Sequence, residues 1–337
     1  MYATEIVLPH TGEPEVLQVR QRELGEPGPG QALVRIEASG VGFAEQQMRR
    51  GRYPAAPKFP FVPGYDLVGT VEGTGERVAA MTKSGGWATY ALVDRDKLVP
   101  VPADAEQLDA AEAEVLILNG VTAWQMLHRQ ARVRRGQTVL VHGANSGVGT
   151  LLVQLAREVG ATVIGTASAR NLAAVEALGA TAVDRRGDWA AEVRRLAPGG
   201  VHAVFDHVGV RNLRLSRPLL ARGGTLISYG SAATRDDKGA GQRAAYAPFL
   251  GILASLALWT VVPDGRRMRL YNVWGGSRTR PDRWRRRFAE DLTEVLTRAA
   301  DGRLKAVVGG RYPLTEAAEA LRVAESGTVV GRLVLIP

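Results

Sequence analysis

The stretch VHGANSGVGT, Val141–Thr150, decides how this chain is read. Its glycines fall at 143, 147 and 149. Such a loop either seats a phosphate or only turns the chain from a strand into a helix, and the flanks decide between the two. Before it runs TVLVH (Thr138–His142), a short apolar stretch rich in β-branched residues, which suits a parallel strand covered on both faces. After it, Val148, Leu151, Leu152, Leu155, Ala156 and Val159 recur at helical spacing on one side, and Gly160 closes the helix. TVIGTA (Thr162–Ala167) reads as a second strand. The loop therefore sits inside a βαβ unit of about 30 residues, the setting that a dinucleotide fingerprint requires.

Small residues let the backbone come close to a pyrophosphate, and the helix N-terminus presents N–H groups and a partial positive charge to it. Ala144, Ser146 and Gly149 stand in the places of the three fingerprint glycines, so the strict G-x-G-x-x-G is broken at its first two positions. With Gly147 and Val148 they form the expected pyrophosphate seat. The alternation continues. SARNLAAVEALGA (Ser168–Ala180) is an amphipathic helix, and VHAVFDHVG (Val201–Gly209) and GGTLISYG (Gly223–Gly230) are further strands ending in glycine. Ligands in such sheets bind at the carboxyl ends of the strands, so Val208, Gly209, Tyr229 and Gly230 are expected to border the cofactor. An acid at the end of the second strand would bind a ribose 2′-hydroxyl. None lies between Thr162 and Arg170. Ser168 and Arg170 stand there instead, with Arg185 as a second cation, a set suited to a 2′-phosphate. The expected cofactor is NADPH.

Composition bounds the remainder. The 337 residues are 45% hydrophobic and 23% charged, ordinary for a globular chain of about two domains. There is no cysteine, which excludes disulfides, a thiolate nucleophile and cysteine-ligated zinc. The net charge of +9 comes from 43 basic and 34 acidic residues. Most of the cations are arginines scattered along the chain, with no nucleic-acid recognition motif, so a solvated surface is expected. The N-terminus lacks a basic segment followed by an apolar core, which reads as a cytoplasmic protein without a signal peptide. The longest apolar stretch, Ala247–Pro263, falls short of the ~20 residues that span a bilayer and reads as a buried or interface helix.

PFVPGYDLVGTV, GERVAA, GGWATYALV, NGVTAW and VLVHGANSGVG occur in the order and spacing of the medium-chain dehydrogenase/reductases, and the chain most resembles their zinc-free quinone oxidoreductase branch. That resemblance implies an α/β protein. A GroES-like β-barrel catalytic domain (1–122, completed by about 278–337) would accompany a Rossmann domain with a doubly wound parallel sheet (123–277). Short strands such as ALVRIEASGV, LVGTVEG, ERVAAM and WATYALV, set off by Gly and Pro turns, fit an all-β unit independently. The zinc enzymes of the family carry a cysteine near Gly42 and a Gly-His-Glu triplet where this chain has Gly64-Tyr65-Asp66. Both ligands are replaced, and the five histidines form no short-spaced pair, so no metal is expected.

Without a Lewis acid, hydride must go to an acceptor that is already electron-poor. The resemblance places Tyr53, Tyr65 and Asp66 beside the reacting groups as catalytic candidates. It also places Thr122, Val273, Trp274 and Arg332 near the cofactor. Tyr53 would donate a proton or wall the pocket; Asp66 would be an acid or a structural acceptor. Asn119 reads as a capping residue and His207 as a wall of the crevice. The expected activity is NADPH-dependent reduction of quinones or other activated alkenes by a homodimer. The alternatives are a pathway-specific enoyl reductase and a non-catalytic NADPH-binding partner protein, peripheral to a membrane through Ala247–Val262.

Overall fold

A computed structural model describes residues 1–53, 56–232 and 242–337, with backbone alone for 242–249. The chain forms two compact units, Met1–Val121 with Gly276–Pro337, and Thr122–Gly275.

In chain order the strands are β1 (Tyr2–Val7), β2 (Gln18–Glu23), β3 (Gln31–Val41), β4 (Asp66–Val71), β5 (Arg77–Met81), β6 (Tyr90–Asp94) and β7 (Leu98–Pro100). The second unit carries β8 (Thr138–His142), β9 (Thr162–Ala167), β10 (Thr181–Asp184), β11 (Val201–Asp206), β12 (Leu220–Ser228) and β13 (Arg267–Leu270). The chain then returns to the first unit with β14 (Val308–Pro313) and β15 (Arg332–Ile336).

The first unit holds a seven-stranded sheet in the order β14-β15-β3-β4-β5-β7, with β6 also on β3. β3 is its spine. Its first half pairs with β6 and its last three residues pair with β15. A register shift lies between Ile36 and Ala38 on the β4 side. Such shifts bend a strand and let one strand serve two neighbours. Ala32, Val34, Ile36 and Ala38 alternate inward along it and are buried. One apolar cluster gathers Val34, Ile36, Leu67 and Val78; another gathers Ile6, Trp87, Leu314, Leu321 and Leu333. WATYALV was expected to be one strand, but only Tyr90–Asp94 is regular. Trp87 and Thr89 instead exchange backbone hydrogen bonds with Ile6 and Thr4.

The second unit is a six-stranded, wholly parallel sheet in the order β10-β9-β8-β11-β12-β13. The order reverses at β8, so the carboxyl ends of β8 and β11 flank the switch-point crevice of a Rossmann sheet. β8 and β9 begin and end at the expected residues, because their β-branched runs are covered on both faces. The helix after the glycine loop spans Gly147–Glu158, one residue earlier than its apolar pattern suggests. Leu140, Ile164, Trp189, Val204, Leu226 and Ile252 share one core. The fold is the expected one, an α/β chain with a Rossmann sheet and a GroES-like unit.

The last Rossmann strand stops at Leu270, ahead of Val273 and Trp274. Asn272 Oδ1 accepts a hydrogen bond from the Trp274 N–H at 3.0 Å, which turns the chain there. Asn119 does not cap a helix end; it is buried inside a π-helical turn, Leu116–Gly120. The apolar stretch lies in the helix Gln242–Thr260, where Ile252 and Leu256 are buried while Leu250 and Leu258 are exposed; the side chains of 247–249 lie outside the described residues. Among the described residues no helix is long and apolar enough to cross a membrane.

Candidate cofactor and catalytic sites

The glycine loop is built by close backbone approach. Gly143, at the end of β8, has φ +62°, and the Ser146 N–H donates to its carbonyl at 2.9 Å. Ser146 caps the following helix, its Oγ accepting from the Gly149 N–H at 3.1 Å. A Cβ at Gly149 would lie 2.1 Å from the Gly143 carbonyl oxygen, so position 149 tolerates no side chain. Ala144 is fully buried, and a Cβ on Gly165 of β9 would sit 2.7 Å from its methyl. A methyl fills that space where the strict motif has glycine. The loop thus delivers a helix N-terminus at Gly147 and Val148.

Ser168, half-buried, follows β9 and precedes the short helical turn Ala169–Asn171 that carries the exposed Arg170. The Arg185 N–H donates to the Ala167 carbonyl at 2.8 Å, which brings a second exposed arginine to the same strand end. Asp184 is nearby, but its Oδ1 accepts from the Arg186 N–H at 3.0 Å in its own turn. Ser168, Arg170 and Arg185 therefore all follow closely on the chain at the ends of β9 and β10.

At the end of β11 the fully buried Asp206 organises the next turn. Its Oδ1 accepts from the N–H groups of Val208 (2.7 Å) and Gly209 (3.1 Å), and its Oδ2 accepts from Asn212 Nδ2 (2.5 Å). Gly209 has φ +130°, a conformation that favours glycine. Burial pushes the Asp206 carboxyl up to about 6, against the hydrogen bonds from Asn212, Gly209 and Val208. His207 lies over the glycine loop, with its Cε1 2.2 Å from where a Gly143 Cβ would be. The His207 and Tyr229 rings are 5.6 Å apart, and Gly230 packs against His207. The Tyr229 hydroxyl is buried without a hydrogen-bond partner, and burial raises its pKa further above the usual phenol range. Beneath the loop His142 bonds Thr166 Oγ1 (3.0 Å) and Ser216 Oγ (2.9 Å), and burial lowers its pKa to about 3, keeping it neutral.

In the first unit the Tyr53 and Tyr65 hydroxyls meet at 2.6 Å with their rings edge to face. Burial raises the Tyr53 phenol above its ordinary value, so near neutral pH it carries a proton it can give. Beside Tyr65, Glu45 accepts from the N–H groups of Tyr65 and Gly42, both at 2.9 Å, and burial lifts its carboxyl to about 6. Arg332 Nη2 and Nη1 donate to Asp66 Oδ1 and Oδ2 at 2.6 and 2.9 Å, and the Leu118 N–H reaches Oδ2 at 3.2 Å. Glu114 Oε1 approaches the same guanidinium at 3.3 Å, and burial holds its carboxyl well above the ordinary range.

Residues 28–103 match the family described as alcohol dehydrogenase GroES-like domain, and residues 178–335 the one described as zinc-binding dehydrogenase. The chain is 30% identical to 2-haloacrylate reductase of a Burkholderia species, and the match covers 98% of each chain. The chain belongs to the medium-chain dehydrogenase/reductase family. Within that family it falls in the quinone oxidoreductase-like branch. Escherichia coli quinone oxidoreductase complexed with NADPH superposes with a TM-score of 0.84 at 26% identity, covering 99% of this chain and 100% of that one. The mouse synaptic vesicle membrane protein VAT-1 homolog-like is 33% identical over 237 residues, 67% of this chain. The match spans only 56% of that relative's length.

Set against this medium-chain dehydrogenase/reductase frame, two candidate residues change place. The sequence leaves Asp66 as an acid or a structural acceptor, and its family resemblance makes Arg332 a cofactor contact. The structure gives them to each other: both Asp66 oxygens accept from the buried Arg332 guanidinium, the role of a structural acceptor. Tyr53 and Tyr65 do come together. Thr122 is buried at the start of the second unit, and Val273 and Trp274 are half-buried after β13. Among the described residues no group of His, Cys, Asp or Glu is arranged to hold a metal ion. Sequence reading passed over Asp206 and Glu114. Gly40 carried a usable signal: a glycine inside a strand marks close approach, and a Cβ there would sit 2.0 Å from Arg332 Nη2.

Proposed function

We propose that this chain is an NADPH-dependent oxidoreductase that reduces quinones or other activated alkenes without zinc. The observation that carries the reading is the loop Gly143–Gly149, a capped helix start that excludes side chains at the switch point of a parallel sheet. NADPH, when bound, supplies hydride. The chain's own residues bind, orient and protonate. The helix start at Gly147 would hold the pyrophosphate, and Ser168, Arg170 and Arg185 the 2′-phosphate. The turn Val208–Gly209, Tyr229 and Gly230 would wall the crevice. We assign the chemistry toward the acceptor to the barrel unit. There Tyr53, backed by Tyr65, would donate a hydrogen bond or its proton to the acceptor's carbonyl oxygen as negative charge develops. Gly42 and Tyr65, at the family's zinc-ligand positions, offer no thiolate or imidazole, so the acceptor must be activated by its own electron withdrawal.

NADPH oxidation with a panel of quinones, enones and 2-haloacrylates tests this. Turnover with several quinones supports the broad activity. A narrow preference for one enone or enoyl thioester, with no quinone turnover, would replace it by an enoyl reductase, a reading that similarity to 2-haloacrylate reductase favours. Tight NADPH binding with no acceptor reduced would leave a non-catalytic binding protein.

We further propose that the protein self-associates. β13 ends the sheet with one edge unpaired among the described residues, and Leu250, Leu258 and Val261 are exposed beside it. Light scattering at micromolar protein reports the state directly.

A further inference from the structure

We propose that Asp206 is a positioning residue whose ionised carboxylate sets the turn His207–Gly209 in the shape that binds the nicotinamide dinucleotide. The inference rests on the cofactor reading above. Asp206 is fully buried at the end of β11, one strand from the glycine loop. It acts through the Val208 and Gly209 backbone that it holds.

The geometry is specific. One oxygen takes two successive N–H groups, Val208 and Gly209, which forces the chain to double back at once after the strand. Gly209 meets that demand with φ +130°. The turn so formed fixes His207, which covers Gly143, and the His207 carbonyl accepts from the Ala232 N–H at 2.7 Å, tying down the chain after β12 as well. Three pieces of the crevice wall, after β8, β11 and β12, therefore take their positions from one carboxylate.

The second oxygen supplies the switch. Oδ2 faces the Asn212 amide, a donor, at 2.5 Å. A proton on Asp206 would sit on Oδ2, because Oδ1 already accepts twice, and it would crowd and weaken the charge-assisted bond from Asn212. Protonation thus opposes the arrangement that ionisation stabilises. Around the group, His142 on β8 lies 3.9 Å away and stays neutral, and Tyr229 after β12 stays a neutral phenol. His207 adjoins Asp206 in the chain, and Arg211 and Arg214 on the helix Val210–Ser216 are exposed. The hydrogen bonds to the carboxylate come from Asn212 and two backbone N–H groups, and its ionisation falls near pH 6, inside an accessible range.

The test is NADP+ affinity by calorimetry, in the wild type and in Asp206→Asn, at about pH 7.5 and about pH 5. Asparagine keeps the shape and one acceptor but never ionises. The ligand's own phosphate titrates equally in both proteins and cancels in the ratio of their dissociation constants. The expected ratio is about tenfold near pH 7.5, roughly one charge-assisted hydrogen bond, falling to within about twofold near pH 5. A ratio that is unity at both pH values, or equally large at both, overturns the proposal. Should Asp206→Asn not fold, Asn212→Ala decides. Losing that donor raises the Asp206 pKa, so the pH at which NADP+ affinity falls moves upward; an unmoved midpoint refutes it. Wild-type protein that binds no NADP+ at all overturns the cofactor reading itself, and this inference with it.

Discussion

Arg332 holds Asp66 through two hydrogen bonds of 2.6 and 2.9 Å, and both side chains are buried in the barrel unit. The pair is the centre of a cluster in which Glu114 and Glu45 contribute two further carboxyl groups. One cation serves three acids, so its removal strands buried negative charge.

Arg332→Met is expected to destabilise the protein by about 3–5 kcal/mol, because it leaves Asp66 without its partner in a dry site. Urea unfolding of wild type and variant reads this directly. A loss below about 1 kcal/mol would show that the pair contributes no more than an exposed one.

Glu45 adds a pH signature. Its carboxyl rises from 4.5 to about 6 on folding, through burial. The folded state therefore binds more protons than the unfolded chain in that window. The stability linked to this group is fully present below 4.5 and is lost as pH rises through about 6. Relative to Glu45→Gln, the wild type should lose roughly 2 kcal/mol of unfolding free energy between those limits. Parallel pH-dependent curves for the two proteins would be evidence against it.

Tyr53→Phe removes the proposed proton donor while keeping the ring packed on Tyr65. The fall in kcat is expected to be on the order of 100-fold, with little change in KM for NADPH. Unchanged kcat would make the hydroxyl a wall of the pocket and move the proton source to water.

Arg170→Ala should raise KM for NADPH about tenfold while leaving KM for NADH nearly unaltered, since only the former carries the 2′-phosphate. Adding Arg185→Ala should deepen the effect, as the two arginines share the end of β9. Equal changes for both nucleotides would contradict the assignment.

Gly149→Ala places a methyl 2.1 Å from a backbone oxygen, where no flexible side chain is able to yield. We expect at least about 1–3 kcal/mol of destabilisation together with lost NADPH affinity. Gly136→Ala is the contrast: its φ is +79°, but open space surrounds it, so only local backbone strain should appear.

What was legible in the sequence followed from local chemistry. β8 and β9 announced themselves by β-branched runs, and Ser146 by its place before a helix. What was not legible depended on partners remote in the chain. Arg332 and Asp66 are 266 residues apart, and nothing near either names the other. Asp206 and Glu114 look like any surface acid until burial is known. Asn119 resembled a cap because its helix continues through π turns that leave no mark on apolar periodicity.

The β3–β15 pairing joins strands that lie on either side of the whole nucleotide unit in the chain. During synthesis the parallel sheet emerges complete while the barrel still lacks an interior strand. Barrel closure is thus a late, long-range event, and Arg332, arriving with β15, neutralises carboxylates that have waited in the nascent chain since Asp66 was made.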